Sequence, residues 1–341
     1  MENITFYNVR QEPFSIHGLY DAKSQKPFCR LPKDVAFATS KNISSLYLDL
    51  SGGRVRFCTN SDTIVIKVER YEKDRNVRVA PFIEFGFDLY MDTRFGQRFL
   101  AAGRPLENEE GRYIYAAKGL PEGEKEITLY LPAYGGIVDL EIGLKNGATL
   151  SAHRPYTYTK PVLYYGSSIT QGCAATRSGK IYPAIISRRF DWDFIDLGFA
   201  GSCMGEEVLA KYMAGLDMGV FVSDYDHNRS CAESLASNHF RLYEIIRDKH
   251  PDIPYYMISR PDFRFDKKDF DRRAVVMESY LKAWRGGDPN VYFIDGSAFF
   301  DHPDKLEFTQ DGTHPSDEGF LRMANIIGTV FENTIDFDKL K

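Results

Sequence analysis

The sequence predicts an α/β chain in two parts. Residues 1–155 read as an all-β sandwich or jelly roll, and residues 156–341 as a parallel sheet covered by helices. Three observations lead there. The first half consists of short apolar runs cut by turn residues. The second alternates such runs with longer amphipathic segments. Between them lies Ala152-His153-Arg154-Pro155-Tyr156-Thr157-Tyr158, where the rhythm changes at a proline.

In the first half, Ser45–Leu50 alternates as a strand and ends at Ser51-Gly52-Gly53. Val55–Cys58 follows, then a turn at Asn60-Ser61-Asp62 and a strand over Thr63–Val68. Pro81–Tyr90, Arg112–Ala116, Glu126–Leu131 and Val138–Gly143 continue the pattern. Short strands at such spacing fit a sandwich better than strand–helix–strand units. In the second half, strands over Pro161–Tyr165, Phe194–Leu197, Val220–Ser223, Tyr255–Ile258 and Val291–Ile294 alternate with helices. The helices are predicted over Ile181–Arg189, Gly205–Ala214, Ala232–Asp248, Lys267–Ala283 and Asp317–Glu332. Parallel sheets of this kind gather ligands at the carboxyl ends of their strands. Ser168, Gly201 and Asn228 follow the first three strands, and Asp311 and His314 precede the last helix, so all five are expected on one rim.

Composition narrows the function. The net charge is −5 without a basic run, which argues against nucleic acid as a partner. No apolar stretch approaches the ~18 residues of a membrane span. The first residues lack a charged and then apolar leader, so a cytoplasmic location is expected. The five cysteines are far apart and form no C-x-x-C pair, which favours reduced thiols over a zinc or redox site. Asp224, Asp226 and His227 could be read as metal ligands, but a single histidine stands there without a second at ligand spacing. No metal or cofactor is expected.

The chemistry concentrates at Gly166-Ser167-Ser168-Ile169, where a strand stops at a turn. A serine is a weak nucleophile at neutral pH and needs an imidazole within hydrogen-bond reach. His314 is the candidate base, with Asp311, three residues earlier, or a backbone carbonyl holding its Nδ1–H. The oxyanion of an acyl-transfer intermediate needs aimed donors. The candidates are the Ser168 N–H, the Gly201 N–H and the Asn228 side chain. An ordinary turn at Gly201 and an Asx turn at Asn228 are the plainer readings of each alone. Arg260 follows a strand and could grip a substrate oxygen or pair with Asp262; the pair is favoured. Cys173 is expected to pack. Asp301-His302 reads as a loop, and His314 is preferred to it.

These motifs resemble the GDSL or SGNH-type serine hydrolases. That family carries its nucleophile in a Gly-Asp-Ser-Leu block, which maps onto Gly166-Ser167-Ser168-Ile169 and points to Ser168. Its oxyanion glycine maps onto Gly201, its asparagine onto Asn228 and its Asp-x-x-His onto Asp311 and His314. The first half resembles the β-sandwich of a branch with a Gly-x-Asp-Leu-Tyr motif, here Gly86-Phe87-Asp88-Leu89-Tyr90. Asp88 and Tyr90 are expected to serve the sandwich or the domain junction. The resemblance implies a three-layer α/β/α second domain. Two departures stand out. Ser167 replaces the usual aspartate, and Asp224-Tyr225-Asp226-His227-Asn228 replaces Gly-x-Asn-Asp, leaving His227 as an alternative to Asn228.

The reading is a serine esterase that uses Ser168, His314 and Asp311 on a small acyl ester, with acetyl on a carbohydrate expected by analogy with related hydrolases that carry β-sandwiches. The alternatives are a carbohydrate-binding protein on an inactive hydrolase fold, and a thioesterase or lipase of the same fold. Expected partners are a small-molecule or saccharide ester, with no membrane, and the β domain offers a surface for a homo-oligomer.

Overall fold

The computed structural model describes residues 3–71, 79–104, 111–261 and 267–340. The first half pairs two antiparallel sheets. One has the order Ile4–Asn8, Gly136–Lys145, Thr63–Tyr71, Arg112–Lys118. The other runs Ser15–His17, Arg54–Thr59, Lys125–Tyr130, Phe87–Thr93, Gly96–Gly103. Alternating side chains from both sheets, among them Phe57, Ile66, Leu129 and Ile142, are buried in one core between them.

Two segments of this half depart from the sequence reading. Ser45–Leu50 is not a strand: Lys41–Leu46 is helical, and the chain runs on without pairing. Ser40 caps that helix by accepting from the Ile43 N–H at 3.1 Å. Burial of Ile43 against the second half then favours the helix over the alternation of Leu46, Leu48 and Leu50. Pro81–Tyr90 is likewise divided. Pro81–Phe85 is a short helix with proline in its first turn, where the missing N–H costs nothing, and the strand begins at Phe87.

The second half is built on a parallel sheet in the order Trp192–Gly198, Tyr158–Gly166, Val220–Asp224, Tyr255–Ile258, Val291–Ile294. The strand Tyr158–Gly166 alternates its faces. Val162 and Tyr164 pack with Ile186, Phe320 and Ile327 from the helices Tyr182–Phe190 and Asp317–Thr334. Leu163 and Tyr165 face Leu209, Met213, Leu242 and Val276 from three helices on the other side. This is a three-layer α/β/α arrangement. The predicted helix over Ala232–Asp248 is two helices, Ala232–Ala236 and His239–Lys249, separated at Ser237 and Asn238.

The halves share buried polar groups. The Arg30 guanidinium is fully buried and donates to the carbonyls of Asp196 (3.0 Å) and Gly198 (2.6 Å). Ser51 Oγ lies 2.7 Å from Asp196 Oδ2, and Arg54 pairs with Asp193. Asp88, from the Gly-x-Asp-Leu-Tyr motif, accepts from the Gly179 N–H at 2.7 Å and pairs with Arg177. Its place at the junction follows from these bonds.

Candidate active site

The strand Tyr158–Gly166 ends beneath a one-turn helix, Ser168–Gln171. Ser167 caps it, its hydroxyl accepting from the Ile169 N–H at 3.1 Å. A serine there does what an aspartate does at an N-cap, so the departure from Gly-Asp-Ser leaves the turn intact. Two further bonds fix the turn. The Ser167 N–H donates to the Asp224 carbonyl at 3.0 Å, and Thr170 Oγ1 donates to Asp224 Oδ2 at 3.0 Å. Tyr134, from the first half, donates its hydroxyl to the Ser168 carbonyl at 3.3 Å.

Ser168 Oγ lies 2.8 Å from His314 Nε2, and His314 Nδ1 lies 2.7 Å from Asp311 Oδ2. The other carboxylate oxygen, Asp311 Oδ1, accepts from the N–H groups of His314 (2.8 Å) and Thr313 (3.0 Å). The tight turn therefore lets one carboxylate hold both the backbone and the imidazole of His314. Partial burial raises the Asp311 carboxyl, but the His314 N–H, its imidazole and the Thr313 N–H outweigh that and hold it below the usual carboxylate range. Ser168 is 8% exposed and the His314 side chain 21%, so the pair opens to solvent on one side only.

Gly201 has a φ of +63°, the left-handed region that favours glycine, and a side chain there would meet nothing within 4 Å. Neither its N–H nor that of Ser168 donates to a protein group among the described residues. Asn228 sits at the end of a short 3₁₀ turn after the third strand, and its Nδ2 donates to the carbonyl of Cys203, two residues beyond Gly201 (3.2 Å). That bond places Asn228 beside the Gly201 loop.

The His227 side chain is buried, its Nδ1 3.6 Å from Asp226 Oδ1. Burial foremost lowers its affinity for a proton, and the nearby Arg260 and His314 act in the same direction. Asp224, Asp226 and His227 offer three ligand atoms within 4.8 Å of one another. Burial foremost, and then the neighbouring Asp226, push the Asp224 carboxyl well up, against hydrogen bonds from Thr170 and Tyr182. Arg260 and Arg272 lie close by. Arg260 itself is tied down. Its guanidinium meets Asp269 at 2.9 Å, and its N–H donates to Asp226 Oδ2 at 3.0 Å. Asp262, the partner read from the sequence, lies outside the described residues.

The profile of the GDSL-like lipase/acylhydrolase family matches residues 159–332. The chain belongs to this family. A second profile, the Gly-x-Asp-Leu-Tyr N-terminus of SGNH-hydrolase-type esterases, matches residues 4–150. As a family member, the chain is a hydrolase acting on ester bonds. No curated protein sequence matches it. Among solved structures, it is similar to a candidate GDSL-like lipase from Bacteroides ovatus, with 26% identity over 97% of this chain and 98% of that one and a TM-score of 0.87. It also shares its fold with a salicylyl-acyltransferase from a tetracycline biosynthetic pathway (21% identity, 98% and 99% covered, TM-score 0.80). An acetyl xylan esterase from Butyrivibrio proteoclasticus has the same fold (12% identity, 96% and 98% covered, TM-score 0.65).

The sequence reading did not find the groups that back this family's site from the first half. Tyr134, Asp49 and Ser51 touch the nucleophile turn, yet in sequence Asp49 reads as part of a strand and Ser51-Gly52-Gly53 as a plain turn. Gln171, at the end of the same turn, went unnoticed because a single glutamine has no motif.

Proposed function

We propose that the chain is a serine esterase in which Ser168 attacks the carbonyl of a small acyl ester. The observation that carries this reading is the continuous chain from Ser168 Oγ through His314 to Asp311, with bonds of 2.8 and 2.7 Å. His314 takes the hydroxyl proton as the Ser168 Oγ–carbon bond forms. The Ser168 and Gly201 N–H groups and the Asn228 amide stabilise the resulting oxyanion. His314 then hands its proton to the departing alkoxide, leaving an acyl-serine. Water, deprotonated by the same imidazole, releases the acid. Asp311 keeps the proton-accepting Nε2 turned to Ser168 and stabilises the imidazolium. None of these steps requires a metal.

An acetyl ester on a saccharide is the substrate class we favour. The support is the shared fold of an acetyl xylan esterase, together with a serine and histidine open to solvent on one side. The closeness of Ser168 to His314 weighs against an inactive, binding-only role. The test is hydrolysis of a chromogenic acetate ester and of a panel of acetylated sugars by the wild type and Ser168→Ala. Acetate release lost in the folded variant supports the reading, and turnover retained there overturns it. Preference for long acyl chains over acetate would replace the saccharide assignment with a lipase.

A further inference from the structure

Gln171 is a fully buried polar residue that the proposed chemistry leaves unused. It closes the turn that begins at Ser168. Its Oε1 accepts from the N–H of Ala200 at 2.9 Å. Its Nε2 donates to Asp49 Oδ2 at 3.1 Å and to the Ala133 carbonyl at 3.3 Å. Its own backbone carbonyl accepts from Ser51 Oγ at 2.9 Å. The carboxamide thus joins three places: the nucleophile turn, the residue preceding Gly201, and two segments of the β domain.

The orientation of this carboxamide is determined by its partners. Two acceptors, Asp49 and the Ala133 carbonyl, face one end, and a single donor, Ala200, faces the other. Only the rotamer with oxygen toward Ala200 satisfies all three. The turn and the loop also meet backbone to backbone: a Cβ added to Gly198 would lie 2.5 Å from the Gln171 nitrogen. The side-chain bond to the Ala200 N–H and this close approach tie the turn to the chain leading into Gly201.

We propose that Gln171 is a positioning residue that sets the spacing between the Ser168 and Gly201 N–H groups, held from behind by Asp49 of the β domain. This rests on reading those two groups as oxyanion donors. Such donors act when they lie about 2.7–3.1 Å from the oxygen of the transition state, and loss of one costs ~10²–10³ in kcat. The ground-state carbonyl is less sensitive to their placement, so a loosened gap lowers kcat and spares KM. The β domain is then part of the catalytic apparatus, acting through one amide.

The experiment uses the full chain. Gln171→Met keeps the length of the side chain and removes its three hydrogen bonds. The expected result is a fall in kcat of about ten- to a hundredfold on a chromogenic acetate ester, with KM within about twofold. Inhibition by phenylboronic acid, which becomes tetrahedral on a serine, weakens by the same factor. The pH midpoint of activity stays in place, because the His314–Asp311 pair is untouched. Asp49→Asn retains an acceptor and keeps most of the activity, whereas Asp49→Ala lowers kcat severalfold at unchanged KM. A folded Gln171→Met with wild-type kcat and boronate affinity overturns the proposal. So does a variant in which kcat and KM change together. Should Gln171→Met fail to fold, Asp49→Ala decides by the same readouts. A wild type that neither hydrolyses the ester nor binds the boronate would instead sink the esterase reading.

Discussion

A serine hydroxyl ionises far above neutral pH, so Ser168 gains reactivity only through the imidazole 2.8 Å away. Asp311 orients that imidazole, but its side chain is 54% exposed, and water weakens its hold on the imidazolium. Asp311→Asn is therefore expected to lower kcat by about 10²-fold, the low end of the range for such residues. Turnover of a chromogenic acetate within twofold of wild type would show that the backbone alone orients His314. The depressed Asp311 carboxyl also sets the shape of the acid limb. A lowered carboxylate stays ionised as pH falls until below its usual value, so Asp311 itself adds no break to that limb above about pH 4. Direct NMR titration of the Asp311 carboxyl is expected to place its midpoint below that of a free aspartate, and a midpoint above it would contradict this. Asn228→Ala is expected to cost about 10²–10³ in kcat at similar KM, as loss of one oxyanion donor does. The effect falling on His227→Ala instead would assign the third donor to the buried neighbour.

At the scale of elements, the turn Ser167–Gln171 depends on its cap. Ser167→Ala removes the bond to the Ile169 N–H and should cost about 1 kcal/mol of stability, read from chemical denaturation. An unchanged midpoint would mean that Asp224 and Thr170 hold the turn without the cap. The elements near the site were legible in sequence to different degrees. Four of the five parallel strands hold continuous apolar runs because they are packed on both faces, and such runs are hard to miss; Trp192–Gly198 is interrupted by Asp193 and Asp196. The Asp311–His314 turn was legible because both residues are local to it. The helix Lys41–Leu46 was not, since Leu46, Leu48 and Leu50 mimic strand alternation and the deciding contacts come from the other half of the chain. Gln171 was illegible for the same reason: its partners Asp49, Ala133 and Ala200 are 122, 38 and 29 residues away.

Across the whole molecule, the β-sandwich and the α/β/α layers are joined by buried hydrogen bonds rather than by surface contact alone. Arg30 serves carbonyls of both halves, with Asp196 at 4.0 Å. Burial foremost raises the Asp196 carboxyl to about 6, against the opposing pull of Arg30. Removing the guanidinium leaves that group and four carbonyls, of Leu46, Asp49, Asp196 and Gly198, without it. Arg30→Met should therefore cost about 3–5 kcal/mol, as breaking a buried pair does. The two halves are expected to unfold together in one calorimetric transition, because neither satisfies its junction alone. Two separated transitions in the wild type would show that the halves are stable independently, and the β domain would then lose its place behind the nucleophile turn.

The assignment of Ser168 as nucleophile is tested most directly by labelling the intact chain with an organophosphonate serine probe and mapping the adduct by mass spectrometry. One equivalent per chain, on Ser168 and absent from Ser168→Ala, is the expected result. No adduct, or an adduct on another residue that persists in Ser168→Ala, would contradict it.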